Sequence, residues 1–171
     1  MQTSIVILAI LIIVISLIWL LVPAIYGLPS ISAHPDRIRK ALKLANLQPN
    51  ENFYDLGSGH GQVMIMAAKE FGANATGIEA GPVQCVIAWI NATRNGVSSK
   101  VHIEAGNFFK SNIDQADVVY AYLTSQYAFR LQEKLEKELR PGTRVVTIAF
   151  ELPGWQPIAF DRENLIYLYV K

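Results

Sequence analysis

The 171-residue sequence contains one cysteine, Cys85. That excludes an internal disulfide and any metal site built on several thiolates. Surplus charge is missing too: 15 Lys and Arg stand against 14 Asp and Glu, for a net charge of +1. A protein devoted to nucleic acid needs a basic stripe, so nucleic acid is not expected as a partner, and no metal ligand set is in view. A third absence is local. No charged residue occurs from Ser4 to Gly27, and Ile5 to Val22 is apolar except for Ser16. A helix of about 20 apolar residues spans the roughly 30 Å of bilayer hydrocarbon, so this run reads as a transmembrane helix. A cleaved leader fits poorly, because Met1-Gln2-Thr3 carries no basic side chain and the run is long. There is no internal repeat and no low-complexity segment.

The flanks set an orientation. Arg37, Arg39, Lys40 and Lys43 follow the apolar run closely, and positive residues stay on the cytoplasmic side. The expectation is a single-pass protein, residues 4–27 in the bilayer, facing the cytoplasm from a prokaryotic inner membrane. Trp19 and Tyr26 suit the headgroup level, and packing against the domain is an equal reading. Pro23 and Pro29 predict an exit segment in place of a continuing helix. Residues 1–28 are thus expected to form an anchor with its exit segment, and 29–171 one domain.

Within that domain, Ile38, Leu42 and Ala45 recur at helical spacing. They predict a short amphipathic helix that either covers a sheet or rests on anionic lipid. Strands are predicted at 52–56, 75–79, 101–105, 117–123 and 144–150, with helices at 62–71, 83–94 and 126–139. Two short final strands, 157–160 and 165–170, flank the turn Asp161 to Asn164. Alternating strands and helices imply a mainly parallel sheet covered on both faces, with a C-terminal antiparallel hairpin.

Ligands of open α/β sheets bind outside the carboxyl ends of the strands. The first strand ends in Asp55-Leu56-Gly57-Ser58-Gly59-His60-Gly61. Its glycines permit sharp turning and close backbone approach. The dinucleotide fingerprint G-x-G-x-x-G is not met, because Gln62 stands where the last glycine belongs. Glu79 ends the second strand about 20 residues on, where a carboxylate accepts both hydroxyls of a ribose. Asn107 and Phe108 follow the third strand. An amide bonds an adenine edge and an aromatic packs on its face, although core packing is an equal reading for the phenylalanine. At the end of the fourth strand, Tyr122 and Thr124 are candidates for the substrate side. His60 reads as an exposed loop residue. Trp155, after Pro153-Gly154, either caps the site or packs under the sheet.

The pattern Asp55-Leu-Gly-Ser-Gly59, then Gly77-Ile-Glu79, then Asn107 resembles the class I S-adenosylmethionine-dependent methyltransferases. With Tyr26-Gly-Leu-Pro29, Gln132 to Gly142, Arg144-Val-Val146 and Phe150-Glu-Leu-Pro-Gly-Trp-Gln-Pro157, it is similar to one membrane-anchored protein-lysine methyltransferase family. Members of that family modify the adenine nucleotide translocase and the ATP synthase c subunit. The resemblance implies a Rossmann-like class I sheet and S-adenosylmethionine as cofactor. It implies Asp55, Gly57, Ser58, Gly59, His60, Gly61, Glu79, Asn107 and Phe108 as cofactor-binding residues, and a membrane-associated protein as substrate. A small-molecule methyltransferase, or a tethered cofactor-binding protein without turnover, are the alternatives. The chain departs from the family where Gly59-His60-Gly61-Gln62 replaces Gly-Asp-Gly-Arg, and where Asn107 replaces an aspartate. A weaker hold on the cofactor is the expected consequence.

Overall fold

A computed structural model describes residues 2–25 and 33–171, with side chains over 4–17 and 33–171. Helix α1, Gln2–Ile25, takes up the apolar run. It continues through Pro23, where an exit segment was expected. Proline removes one backbone donor, and this close to a helix end the loss is local. The large apolar side chains from Ile5 to Leu17 are all exposed, Ile5 by 60%. Among the described residues no helix is long and apolar enough to cross a membrane. The expected span also uses 18–22, which with the rings of Trp19 and Tyr26 lies outside the described side chains.

Helix α2, Pro35–Leu44, starts with proline in its first turn, and the Nδ1 of the preceding His34 accepts from the Asp36 N–H at 3.4 Å. Ile38, Ala41 and Leu42 are fully buried, so α2 covers the sheet and its apolar face is not left for lipid. Then come β1 (Asn52–Leu56), α3 (Gln62–Phe71), β2 (Asn74–Glu79), α4 (Pro82–Arg94) and β3 (Val101–Ala105). They are followed by β4 (Val118–Ala121), a short 3-10 turn at Ser125–Tyr127, α5 (Ala128–Glu138), β5 (Arg144–Ile148), β6 (Ala159–Asp161) and β7 (Ile166–Val170).

The seven strands form one sheet in the order β3-β2-β1-β4-β5-β7-β6. The first five are parallel, and β7 runs antiparallel to β5 and to β6. The expected hairpin is present, but its second strand lies inside the sheet and its first forms the edge. Strands buried on both faces need apolar residues at consecutive positions. Tyr120 and Val146 belong to the core under α2 and α3. Their neighbours Val119, Ala121 and Val145 belong to the core under α5. The chain winds outward from β1 to β3, then crosses back to β4. The switch in strand order therefore falls between β1 and β4, and the crevice there is where ligands of such sheets bind.

Candidate active site

Three loops meet at the carboxyl ends of β1, β2 and β4. Gly57, Gly59 and Gly61 have φ of +83, +53 and +82 degrees, a region that side chains with a Cβ rarely adopt. The Gly57 and Ser58 N–H groups both donate to the Ile78 carbonyl, at 2.9 and 3.1 Å. A Cβ on Gly61 would lie 2.6 Å from Met64 Cε and 3.1 Å from Ala88. The loop must therefore be bare of side chains to sit against α4.

Glu79 is half-buried. One carboxylate oxygen accepts the Gly59 N–H at 2.9 Å, and the other the Gly81 N–H at 2.7 Å. Both oxygens are thus fixed in space, each with a further lone pair. The Cys85 Sγ lies 3.4 Å from the Glu79 carbonyl, and burial followed by the Glu79 charge pushes its thiol pKa up.

Asp55 is 2% exposed. Burial, and then the charge of Glu79, push its carboxyl pKa up to about 8, opposed by the Met64 backbone N–H that it accepts. Among the described residues its Oδ2 has no hydrogen-bond partner, nor have Ser58 Oγ, Tyr120 OH and Thr124 Oγ1, all buried. Asp55 stands beside Tyr120 across the β1–β4 pair. Burial, then Asp55, hold the Tyr120 phenol well above its ordinary range, with Arg37 opposing. Buried polar atoms are nearly always satisfied. Four unsatisfied ones at the ends of β1 and β4 leave bonding capacity that a polar ligand could use.

The sequence-predicted residues separate into groups. Asp55, Gly57, Ser58, Gly59, Gly61 and Glu79 gather around one crevice. His60 lies exposed on its rim, its carbonyl accepting the Asn91 side-chain amide at 3.1 Å. Asn107 Oδ1 is engaged with the Phe109 N–H at 3.0 Å, which makes it the hinge of the turn after β3. Phe108, expected on a ligand's face, is 3% exposed in the core under α5. Its ring packs 4.3 Å from that of Phe109. Tyr122 and Thr124 follow β4, and Leu123 between them comes 3.5 Å from where a Gly57 Cβ would sit. Trp155 does not cap the site. It packs edge-on to Tyr169 at 6.1 Å and donates to Glu136 at 3.0 Å, on the α5 side.

Arg37 is the residue that sequence reasoning missed. It was read as a juxtamembrane cation, yet its guanidinium donates to the Tyr122 hydroxyl at 3.4 Å and the Asn164 carbonyl at 2.7 Å. No local signal pairs residues so far apart in the chain.

A sulfonium nucleoside fits this set. Its ribose hydroxyls need acceptors, its ammonium needs a carboxylate, and its positive sulfur favours the acidic side of the crevice. Glu79, Asp55 and the bare glycine loop are the groups available for these.

Known proteins agree with that fit. A protein-lysine N-methyltransferase from Saccharolobus islandicus strain REY15A is 40% identical over 140 residues, covering 78% of this chain and 87% of its own length. The adenine nucleotide translocase lysine N-methyltransferase of Mus musculus is 32% identical over 84% of this chain, and the match spans 62% of the mouse protein. The crystal structure of an RNA methyltransferase from Salinibacter ruber, in complex with S-adenosyl-L-homocysteine, superimposes with a TM-score of 0.79 at 33% identity. That match covers 82% of this chain and 93% of the Salinibacter one. The model of the ANTKMT methyltransferase domain matches residues 55–159, more than half of the sequence. From the glycine crevice, its unsatisfied polar atoms and these matches together, the chain belongs to the ANTKMT methyltransferase domain family and is an S-adenosylmethionine-dependent methyltransferase.

Proposed function

We propose that this enzyme methylates the ε-amine of a lysine in a membrane-associated protein, with α1 as its bilayer anchor and the catalytic domain on the cytoplasmic side. The observation that carries the reading is the crevice at the ends of β1, β2 and β4, where the fixed Glu79 carboxylate, the buried Asp55 carboxyl and unsatisfied buried hydroxyls converge. The names of the Saccharolobus and mouse relatives supply the lysine. The anchor is supported by the absence of charge along α1 and by the exposed apolar side chains along 5–17.

When bound, S-adenosylmethionine supplies an electrophilic methyl group on a positively charged sulfur. In this reading the remaining lone pairs of Glu79 would accept the ribose hydroxyls, and Asp55 Oδ2 would accept the ammonium of the methionine end. Ser58 Oγ and the glycine-loop amides line the floor. Tyr122 and Thr124, at the end of β4, face the acceptor. The acceptor nitrogen must be held about 3 Å from the methyl carbon and in line with the sulfur. It must also be neutral, and low polarity around the site favours the neutral amine. Its proton leaves to water. Tethering to the bilayer raises the local concentration of a membrane-protein substrate without any new contact.

The test is incubation of the enzyme, beside its Glu79→Ala variant, with methyl-labelled cofactor and membranes. Acid-stable label on lysines of membrane proteins, absent with the variant, is the expected result. Label in RNA, in lipid or in small molecules, or cofactor binding with no transfer, overturns the acceptor assignment. An RNA acceptor is disfavoured by the near balance of 15 cationic and 14 anionic side chains.

A further inference from the structure

Tyr122, directly after β4, is held by a residue far away in the chain. Arg37 of α2 places Nη1 3.4 Å from the Tyr122 hydroxyl, and its guanidinium carbon lies 5.3 Å from the ring centre. The same guanidinium donates from Nε to the Asn164 carbonyl at 2.7 Å. One side chain therefore joins α2, the end of β4 and the β6–β7 turn. The turn itself is stiffened. Asp161 accepts the Asn164 N–H at 3.0 Å and the Asn164 side-chain amide at 2.7 Å. Lys40, further along α2, stands 3.9 Å from Glu163. A planar guanidinium fork fixes two partners in one geometry. With one lone pair of the Tyr122 oxygen directed at Arg37, the other is left for an N–H of an incoming amine.

We propose that Arg37 is a positioning residue that locks the Tyr122 hydroxyl in the orientation that aligns the acceptor amine for methyl transfer. The assignment rests on the lysine-methylation reading above. It makes α2 part of the acceptor site, although α2 lies before the glycine loop in the chain.

The experiment uses the full chain in detergent micelles and a synthetic peptide bearing one lysine between apolar residues. Arg37→Gln and Tyr122→Phe should each lower kcat by about tenfold or more while changing the dissociation constant for S-adenosylmethionine by less than about twofold. The double variant should be no slower than Tyr122→Phe, because Arg37 acts only through the Tyr122 hydroxyl. Multiplying effects, or a Tyr122→Phe enzyme as fast as the parent, overturn the proposal. A second readout needs no turnover. In protein carrying ¹³C-tyrosine, the Tyr122 ring signal, identified by its loss in Tyr122→Phe, should shift in Arg37→Gln. An unmoved signal overturns the contact. If the parent methylates no peptide lysine, the acceptor reading fails, and the ring signal still decides whether Arg37 holds Tyr122.

Discussion

Asp55 is the residue with the most unusual surroundings. In an unfolded chain its carboxyl titrates near 3.8, and in the fold near 8. Between those values the native chain keeps a proton that the unfolded chain has lost. Its contribution to stability is therefore complete below about pH 4 and is lost as the pH rises through about 8. Asp55→Asn cannot ionise. The ligand-free variant should gain on the parent from about pH 5 upward, by roughly 1–3 kcal/mol at pH 8, read as a difference in melting temperature. A difference that stays flat with pH is the contrary result. Glu79→Ala belongs to the same scale. It removes the proposed ribose acceptor and releases the Gly59 and Gly81 amides. Cofactor binding should weaken by about 1.5–3 kcal/mol, and unchanged affinity by calorimetry would sink the assignment.

At the scale of elements, β2 and the glycine loop are packed as one unit. A Cβ on Gly77 would lie 2.6 Å from Ser58 Oγ and collide with Met64 Sδ. Gly77→Ala should cost about 1–3 kcal/mol of stability and weaken cofactor binding as well, since Ser58 must move. Chemical denaturation and calorimetry check the two effects separately. The distinctive Phe150–Pro157 segment also finds its meaning here. Phe150 and Leu152 are buried under α5. The Leu152 N–H donates to the Tyr169 hydroxyl at 3.1 Å, and Ala149 takes a left-handed φ of +65 degrees with its N–H on the Leu165 carbonyl. The segment fastens β5, β7 and α5 together.

At the scale of the molecule, a long apolar helix precedes a near-neutral domain. If α1 is the anchor, deleting residues 2–25 should move the chain from the membrane pellet to the soluble fraction. Methylation of a free peptide should be retained, and methylation of membrane proteins should fall as tethering is lost. A deleted chain that still pellets with washed membranes argues against α1 as the attachment.

Much of this was legible in the residues themselves. Local periodicity specified β1, α3 and β3 to the residue, because apolar runs bounded by glycine and turn residues leave few alternatives. The spacing from the glycine loop to Glu79 was equally plain, since the strand–helix–strand unit sets its length. Other features required the tertiary structure. The insertion of β7 between β5 and β6 is a choice of partner that a short hairpin does not encode. Phe108 and Phe109 look alike in sequence, and only packing sends Phe108 into the core. Arg37 meets Tyr122 because α2 lies across the sheet, a contact between residues 85 positions apart. The sequence by itself determined the glycine loop and the family. The fold decided which side chains share the crevice, because the distances that matter to chemistry are set by how the elements stack.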